Sequence, residues 1–253
     1  MEKETNLERI KEIACGMLSV RPLETDMSPM IVDHPFTRSG IVSWNDENYQ
    51  HISGNIMDDE KFFDAWQGMM KKQIESVTAV HQIFFMISKP YSLAMFQDFA
   101  PHLSQEDFSD LLSNVWMEIE YPNADPNVNK RELVSMFKSA DPKKLMDEEE
   151  YEEFSTLDDK LTIYRGVVRD KPKNVKALSW TLDKDTAQWF ADRGRGEGAV
   201  YEANIDKEHI FALFTRRNED EIVVDPKFLT NIHKIEQEAT FFQGQNFDAP
   251  LEQ

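Results

Sequence analysis

Apolar residues recur at helical spacing through most of the first 160 positions. Leu7, Ile10, Ile13 and Ala14 predict an opening helix. Asp58 or Asp59 is placed to cap a second helix through Phe62, Phe63, Trp66, Met69 and Met70. That helix is predicted to continue toward Phe85, with Pro90 as its break. Ser104 with Asp107 forms a capping box with a shortened acid, and Phe108, Leu111, Leu112 and Val115 follow on one face. Residues 131–137 read as a short helix, and Asp141-Pro142 opens another. Residues 146–154 are rich in acids and predict a solvated helix. Residues 25–54, with their proline, glycine, serine and asparagine, predict irregular chain, and residues 121–126 predict a loop.

The pattern changes near Leu161. β-branched and aromatic residues now come in short runs separated by turn chemistry. Residues 161–164, 177–181, 200–205, 210–214, 222–224 and 232–235 predict strands. One helix stands among them, with Asp183 or Asp185 as its cap and Ala187, Phe190 and Ala191 on one face. A glycine-rich loop follows over residues 193–198. Helices followed by strands predict an α+β fold: a mainly helical N-terminal region, residues 1–155, then a mixed β-sheet domain, residues 156–253.

Charge adds an asymmetry. The chain carries 28 Lys+Arg against 47 Asp+Glu, a net of −19. Residues 1–160 hold 15 and 31 of these, a net of −16, and residues 161–253 hold 13 and 16, a net of −3. A surface that acidic repels phosphate backbones, which argues against nucleic-acid binding by the N-terminal region. No apolar run approaches the ~20 residues of a membrane span, and the charged start does not resemble a secretory signal, so no membrane partner is expected. A single cysteine, Cys15, forbids an internal disulfide and suits a reducing compartment. Its spacing places it as a small apolar residue on a helix face. The histidines are scattered and share no ligand spacing with it, so no metal site is expected.

Three short segments carry candidate chemistry. Tyr164-Arg165-Gly166 puts an arginine at a strand end, beside a glycine that permits close approach of a ligand. Ser179-Trp180-Thr181 ends another strand, with both hydroxyls on one face. Arg216-Arg217-Asn218-Glu219-Asp220-Glu221 leads into an apolar strand. In an extended strand Glu219 and Glu221 point the same way, roughly 7 Å apart at ~3.3 Å per residue, and their repulsion raises the pKa of one of them.

In this order, the segments resemble the arginine–serine–glutamate group of mono-ADP-ribosyltransferases, which includes binary actin-modifying toxins, ecto-enzymes and phage-encoded transferases. Its pattern is an arginine on a first strand, a Ser-Thr-Ser-like triplet on a second and a Glu-x-Glu or Gln-x-Glu on a later one. The triplet departs from it at Trp180 and Thr181. The resemblance covers about the last third of the chain.

It implies an NAD⁺-consuming transferase, with NAD⁺ as co-substrate and no metal. Arg165 would hold the phosphates, Gly166 would approach the dinucleotide through its backbone, and Ser179 would orient Glu221. Glu221 would accept a hydrogen bond from the ribose 2′-hydroxyl and steady the positive charge formed as nicotinamide leaves. Glu219 would take the acceptor's proton as general base. Thr181 would lie against the dinucleotide, Arg193 and Arg195 in the loop after the helix either touch phosphate or are a solvated pair, and residues 214–218 would meet the target. Trp189 is either a stacking surface or part of the core. A glutamate at the first acidic position accompanies arginine as acceptor, so a target protein is the expected partner. RNA or DNA bases, and water, are the alternative acceptors, and a non-catalytic acidic interaction protein is the alternative class. The resemblance fits a toxin, a phage factor or a regulator acting in a cytoplasm, its own or a host's. The N-terminal region could bind an antitoxin or a chaperone.

Overall fold

The computed structural model describes residues 3–119, 123, 125–169, 172–193, 198–217 and 219–235. It mixes helices and sheets throughout, as the α+β reading requires. The first helix, α1 (Leu7–Leu18), is capped by the Asn6 side chain, which accepts from Arg9 N at 3.0 Å. Residues 25–54, predicted to be irregular, instead hold most of a set of five short strands that begins just before them: β1 (Leu23–Thr25), β2 (Ser28–His34), β3 (Thr37–Ser39), β4 (Ile41–Asn45) and β5 (His51–Asn55). They make one three-stranded and one two-stranded sheet. Their alternation is weak because most of their side chains stay at least partly exposed, so pattern reading passes them over.

Helix α2 (Glu60–Ser76) starts at Asp59, whose carboxylate accepts from the Lys61 and Phe62 amides. It ends well short of Phe85. Gln82 Oε1 accepts from Thr78 N at 2.7 Å and Ala79 N at 3.1 Å, which holds the chain in a turn before the short α3 (His81–Phe84). Pro90 lies in a 3-10 turn that precedes α4 (Ser92–Phe99), not at the end of a long helix.

Helix α5 (Gln105–Glu118) begins at Ser104, whose hydroxyl accepts from Asp107 N at 3.0 Å. Asp107 does not close the box; its carboxylate accepts from the Thr5 hydroxyl. The α5 core face carries Leu111, Leu112, Val115 and Trp116, all at most 3% exposed. Burying an apolar side chain of this size contributes about 1.5–3 kcal/mol.

Helix α6 (Lys130–Ser139) has a full capping box between Asn129 and Glu132. After α7 (Pro142–Leu145) comes α8 (Glu148–Thr156). This acidic helix is not simply solvated. Met146, just before it, is buried, and Glu150 is 0% exposed. The Glu150 carboxylate accepts from Thr215 N at 2.9 Å and Arg216 Nε at 3.0 Å.

The main sheet has six strands: β6 (Lys160–Val167), β7 (Ser179–Thr181), β8 (Ala199–Asp206), β9 (Ile210–Phe214), β10 (Glu221–Val224) and β11 (Thr230–Lys234). Their order is β11-β8-β6-β7-β10-β9, and every pairing among the described residues is antiparallel, so the sheet is not the mixed one expected. The pairing of β6 with β8 is long, from Lys160↔Asp206 to Val167↔Ala199. Among the described residues β6 and β7 share only Tyr164↔Thr181. The sheet therefore parts beyond that pair, and β6 runs on past Arg165 where a strand end was predicted.

A short α9 (Pro172–Val175) and α10 (Lys184–Asp192) complete the fold, the latter capped by Asp183. A Cβ on Gly166 would stand 1.9 Å from the Ala187 carbonyl oxygen, and one on Gly198 2.0 Å from that of Ala191. Both glycines let α10 lie directly on β6 and β8.

One apolar cluster joins the two parts of the chain. It contains Ile10, Trp66, Leu93, Trp116 and Leu133 from the helices and Ile163, Trp180, Leu213 and Ile222 from the sheet. No helix among the described residues is long and apolar enough to cross a membrane.

Candidate active site

The parting of β6 from β7 opens a cleft of about 430 Å³, lined by Arg165, Gly166, Ser179, Thr181, Arg193, Glu219 and Glu221 among others. Seven of the eight residues singled out as catalytic or NAD⁺-binding thus converge. Arg195 lies outside the described residues, as do Asn218 of the predicted target loop and residues 120–122 and 124.

Arg165 is held from behind. Its Nε donates to the Asn174 carbonyl at 2.8 Å and its Nη1 to the Ser179 carbonyl. The guanidinium thus bridges β6 to β7 where their ladder stops. Among the described residues it has no carboxylate within 4.0 Å. Desolvation pulls its pKa down to about 10, while the Glu221 charge pulls the other way. A desolvated cation without an ion pair is suited to receive an anion.

Glu221 opens β10 opposite Thr181 and is only 6% exposed. Burial raises its pKa above the usual carboxylate range. Hydrogen bonds from Ser179 and Trp116 and the charge of Arg217 partly oppose that rise. The Glu219 charge adds to it, as the smallest of these influences. Mutual repulsion of the two acids is therefore a minor cause. The Trp116 indole Nε1 donates to Glu221 Oε1 at 3.1 Å, from a residue 105 positions away.

Glu219 precedes β10, so simple alternation does not align it with Glu221. Asp220 between them has φ 41°, in the left-handed region, which costs most residues about 1–2 kcal/mol and aspartate less. The end of β7 fixes this turn: the Thr181 hydroxyl donates to the Glu219 carbonyl at 2.7 Å, and Leu182 N to the Asp220 carbonyl at 3.1 Å. The Thr181 hydroxyl also accepts from Asp183 N at 3.0 Å, so its observed contacts position the acids. Gly166 borders the cleft, but the space it leaves free is filled by α10.

Arg217 brings the carboxylates together. Its Nη2 lies 3.0 Å from Glu219 Oε2 and 3.4 Å from Glu221 Oε2. Its Nη1 donates to the Met117 carbonyl at 2.9 Å. Arg216 turns the other way, into Glu150 and Ser113.

Trp189 is 53% exposed and is not core; the Arg193 guanidinium lies over its ring at 3.7 Å. That contact holds Arg193 by cation–π attraction at the cleft edge. Asn123, Lys130 and Asn174 also line the cleft. Lys130, Arg165, Arg193 and Arg217 place four cations there against two carboxylates, inside a chain of net charge −19.

Sequence reading missed Trp116, Lys130, Asn123 and Asn174, and placed Arg217 in the target loop without its pairing to the two acids. Arg217 carried a readable signal, a cation two residues before one acid and four before the other. Trp116 carried none, since a tryptophan on an apolar helix face reads as core.

Two other features stand apart from the cleft. The Cys15 thiol, half-buried on α1, is pushed to higher pKa by burial and by Glu75, which disfavours the nucleophilic thiolate. Asp206, Glu208 and His209 bring three potential ligand atoms within 4.8 Å of one another at an exposed turn, where His209 also stacks on Phe228 at 3.6 Å.

No protein-family profile, no curated protein and no solved structure matches this chain.

Proposed function

We propose that the cleft consumes NAD⁺ and transfers its ADP-ribose, with arginine of a target protein as the acceptor. The observation that carries this reading is the meeting of Arg165, Ser179, Glu219 and Glu221 in one partly enclosed pocket. Its volume, about 430 Å³, falls within the ~300–1,000 Å³ usual for small-molecule sites. Its excess of cations suits a dinucleotide that carries a pyrophosphate, and the Arg165 fork is the strongest single anchor.

Each residue then has a task its surroundings support. Arg165 and, at the rim, Arg193 bind phosphate. Ser179 and Trp116 donate to the Glu221 carboxylate and fix its direction. Glu221 faces the ribose, accepts from its 2′-hydroxyl and stabilises the positive charge that develops as nicotinamide departs. Glu219, the more exposed acid at 23% against 7%, faces the acceptor. A guanidinium stays protonated at neutral pH, and Glu219 is the base that removes its proton.

Incubation with labelled NAD⁺ and cell extract, beside a Glu221→Gln variant, tests the reading. Label on protein with the parent alone is expected. Label on RNA reassigns the acceptor to nucleic acid, and free nicotinamide without labelled macromolecule reassigns the reaction to hydrolysis. No NAD⁺ turnover by either protein contradicts the reading. Glu219→Ala is expected to lose transfer to arginine while part of the NAD⁺ hydrolysis survives. Equal loss of both would contradict the division of labour between the two acids.

A further inference from the structure

The guanidinium between the acids belongs to the chain itself. Arg217 Nη2 stands 3.0 Å from Glu219 Oε2, within the ~2.6–3.2 Å reach of a general base, and 3.4 Å from Glu221 Oε2. The opposite nitrogen, Nη1, is anchored on the Met117 carbonyl at 2.9 Å, so the group is oriented rather than loose. The side chain is 39% exposed and borders the cleft. Its neighbour differs in kind. Arg216 is spent on structure, with Nε on buried Glu150 at 3.0 Å and Nη2 on the Ser113 hydroxyl at 2.7 Å. Of these two adjacent arginines, one braces the loop against α5 and α8, and the other presents a nitrogen to both acids.

We infer that Arg217 is an acceptor in its own molecule, a site of self-ADP-ribosylation. The inference rests on the reading of the cleft as NAD⁺-consuming. In the step, the bond between the ribose C1″ and the nicotinamide nitrogen breaks, and its electron pair leaves with nicotinamide. Arg217 Nη2 forms the new bond to C1″ and passes a proton to Glu219. The product guanidinium keeps its single positive charge. Proximity favours this acceptor, because a nitrogen already held at the base needs no encounter with a second molecule.

The test uses the full chain with NAD⁺ and no added acceptor, over a dilution series of the protein. Nicotinamide release is followed by chromatography and the adduct is mapped by peptide mass spectrometry. The expected result is one ADP-ribose on Arg217, with the same fraction of chains modified at every dilution. Nicotinamide release with Arg217 unmodified overturns the inference and leaves the reading of the cleft standing. An adduct confined to other residues, or a modified fraction that falls on dilution, also overturns it. Absence of nicotinamide release overturns the reading of the cleft and this inference with it.

Discussion

The six-stranded sheet and the helices that precede it serve the same cleft in different ways. The sheet supplies Arg165, Ser179, Glu219 and Glu221 from strands or turns adjacent in the fold, β6, β7 and the entry to β10. The helices supply single groups from separate places: the Trp116 indole and Met117 carbonyl of α5, the Ser113 hydroxyl one turn earlier, and Glu150 of α8. All four grip the segment from Thr215 to Glu221. The groups proposed to react are thus borne by a sheet, and the loop that carries the two acids is fixed by helices. Groups on rigid elements, with their rotamers held by a supporting shell, keep the geometry that chemistry needs.

Charge separates the regions as well. Residues 1–160 carry a net of −16, whereas the cleft gathers four cations against two acids. An acidic body around a cationic cleft confines attraction for anions to the cleft itself and repels long polyanions from the rest.

The largest expected effect falls on the sheet. Glu221→Gln keeps shape but removes charge, and nicotinamide release should fall by on the order of 10²–10³, the usual cost of losing one transition-state stabiliser. Thermal stability should not fall with it. The Glu221 pKa is raised in the fold, so the native state holds this proton more tightly than the unfolded chain does. Its favourable contribution is complete below the ordinary value of 4.5 and is lost as pH rises through the window up to the raised value. At neutral pH the buried charge is a cost, and glutamine removes it. A melting temperature that dropped by several degrees would mean that Glu221 is structural.

Next in size is Gly166→Ala. If the glycine serves helix packing, the new methyl clashes with the Ala187 carbonyl and lowers stability by about 1–3 kcal/mol, read by denaturant unfolding. Unchanged stability with weakened NAD⁺ binding would instead restore the ligand-approach role read from sequence.

The smallest effect tests whether the helices take part in the chemistry. Trp116→Phe deletes the indole N–H, which lowers the Glu221 pKa, and keeps an aromatic ring against Phe137. The Glu221 pKa should rise further. In the proposed reaction the ionised form is the active one, so the acid limb of the pH–rate profile should move to higher pH, by about one pH unit for each ~1.4 kcal/mol of stabilisation lost by the carboxylate. A profile that falls in height without moving would assign Trp116 a packing role only.

The sequence made the sheet region and its acids legible because their signals are local. Strand runs, the Asp183 cap and the short segments around Arg165, Ser179 and Glu221 can each be read within a few residues. Other features depend on contacts far along the chain. The strands between Leu23 and Asn55 bury too little for alternation to stand out. The end of α2 at Ser76 is set by the Gln82 side chain. Glu150 reads as one acid of a run, yet the fold buries it on Arg216. The shared orientation of Glu219 and Glu221 was anticipated from an extended strand, whereas a left-handed Asp220 and the Arg217 clamp produce their meeting.

The most direct measurement is a time course of NAD⁺ with the purified full chain alone, following NAD⁺ and nicotinamide together. The account predicts that NAD⁺ disappears and an equal amount of nicotinamide appears at a rate proportional to protein. NAD⁺ that remains intact at saturating concentration, with the protein folded, would contradict it.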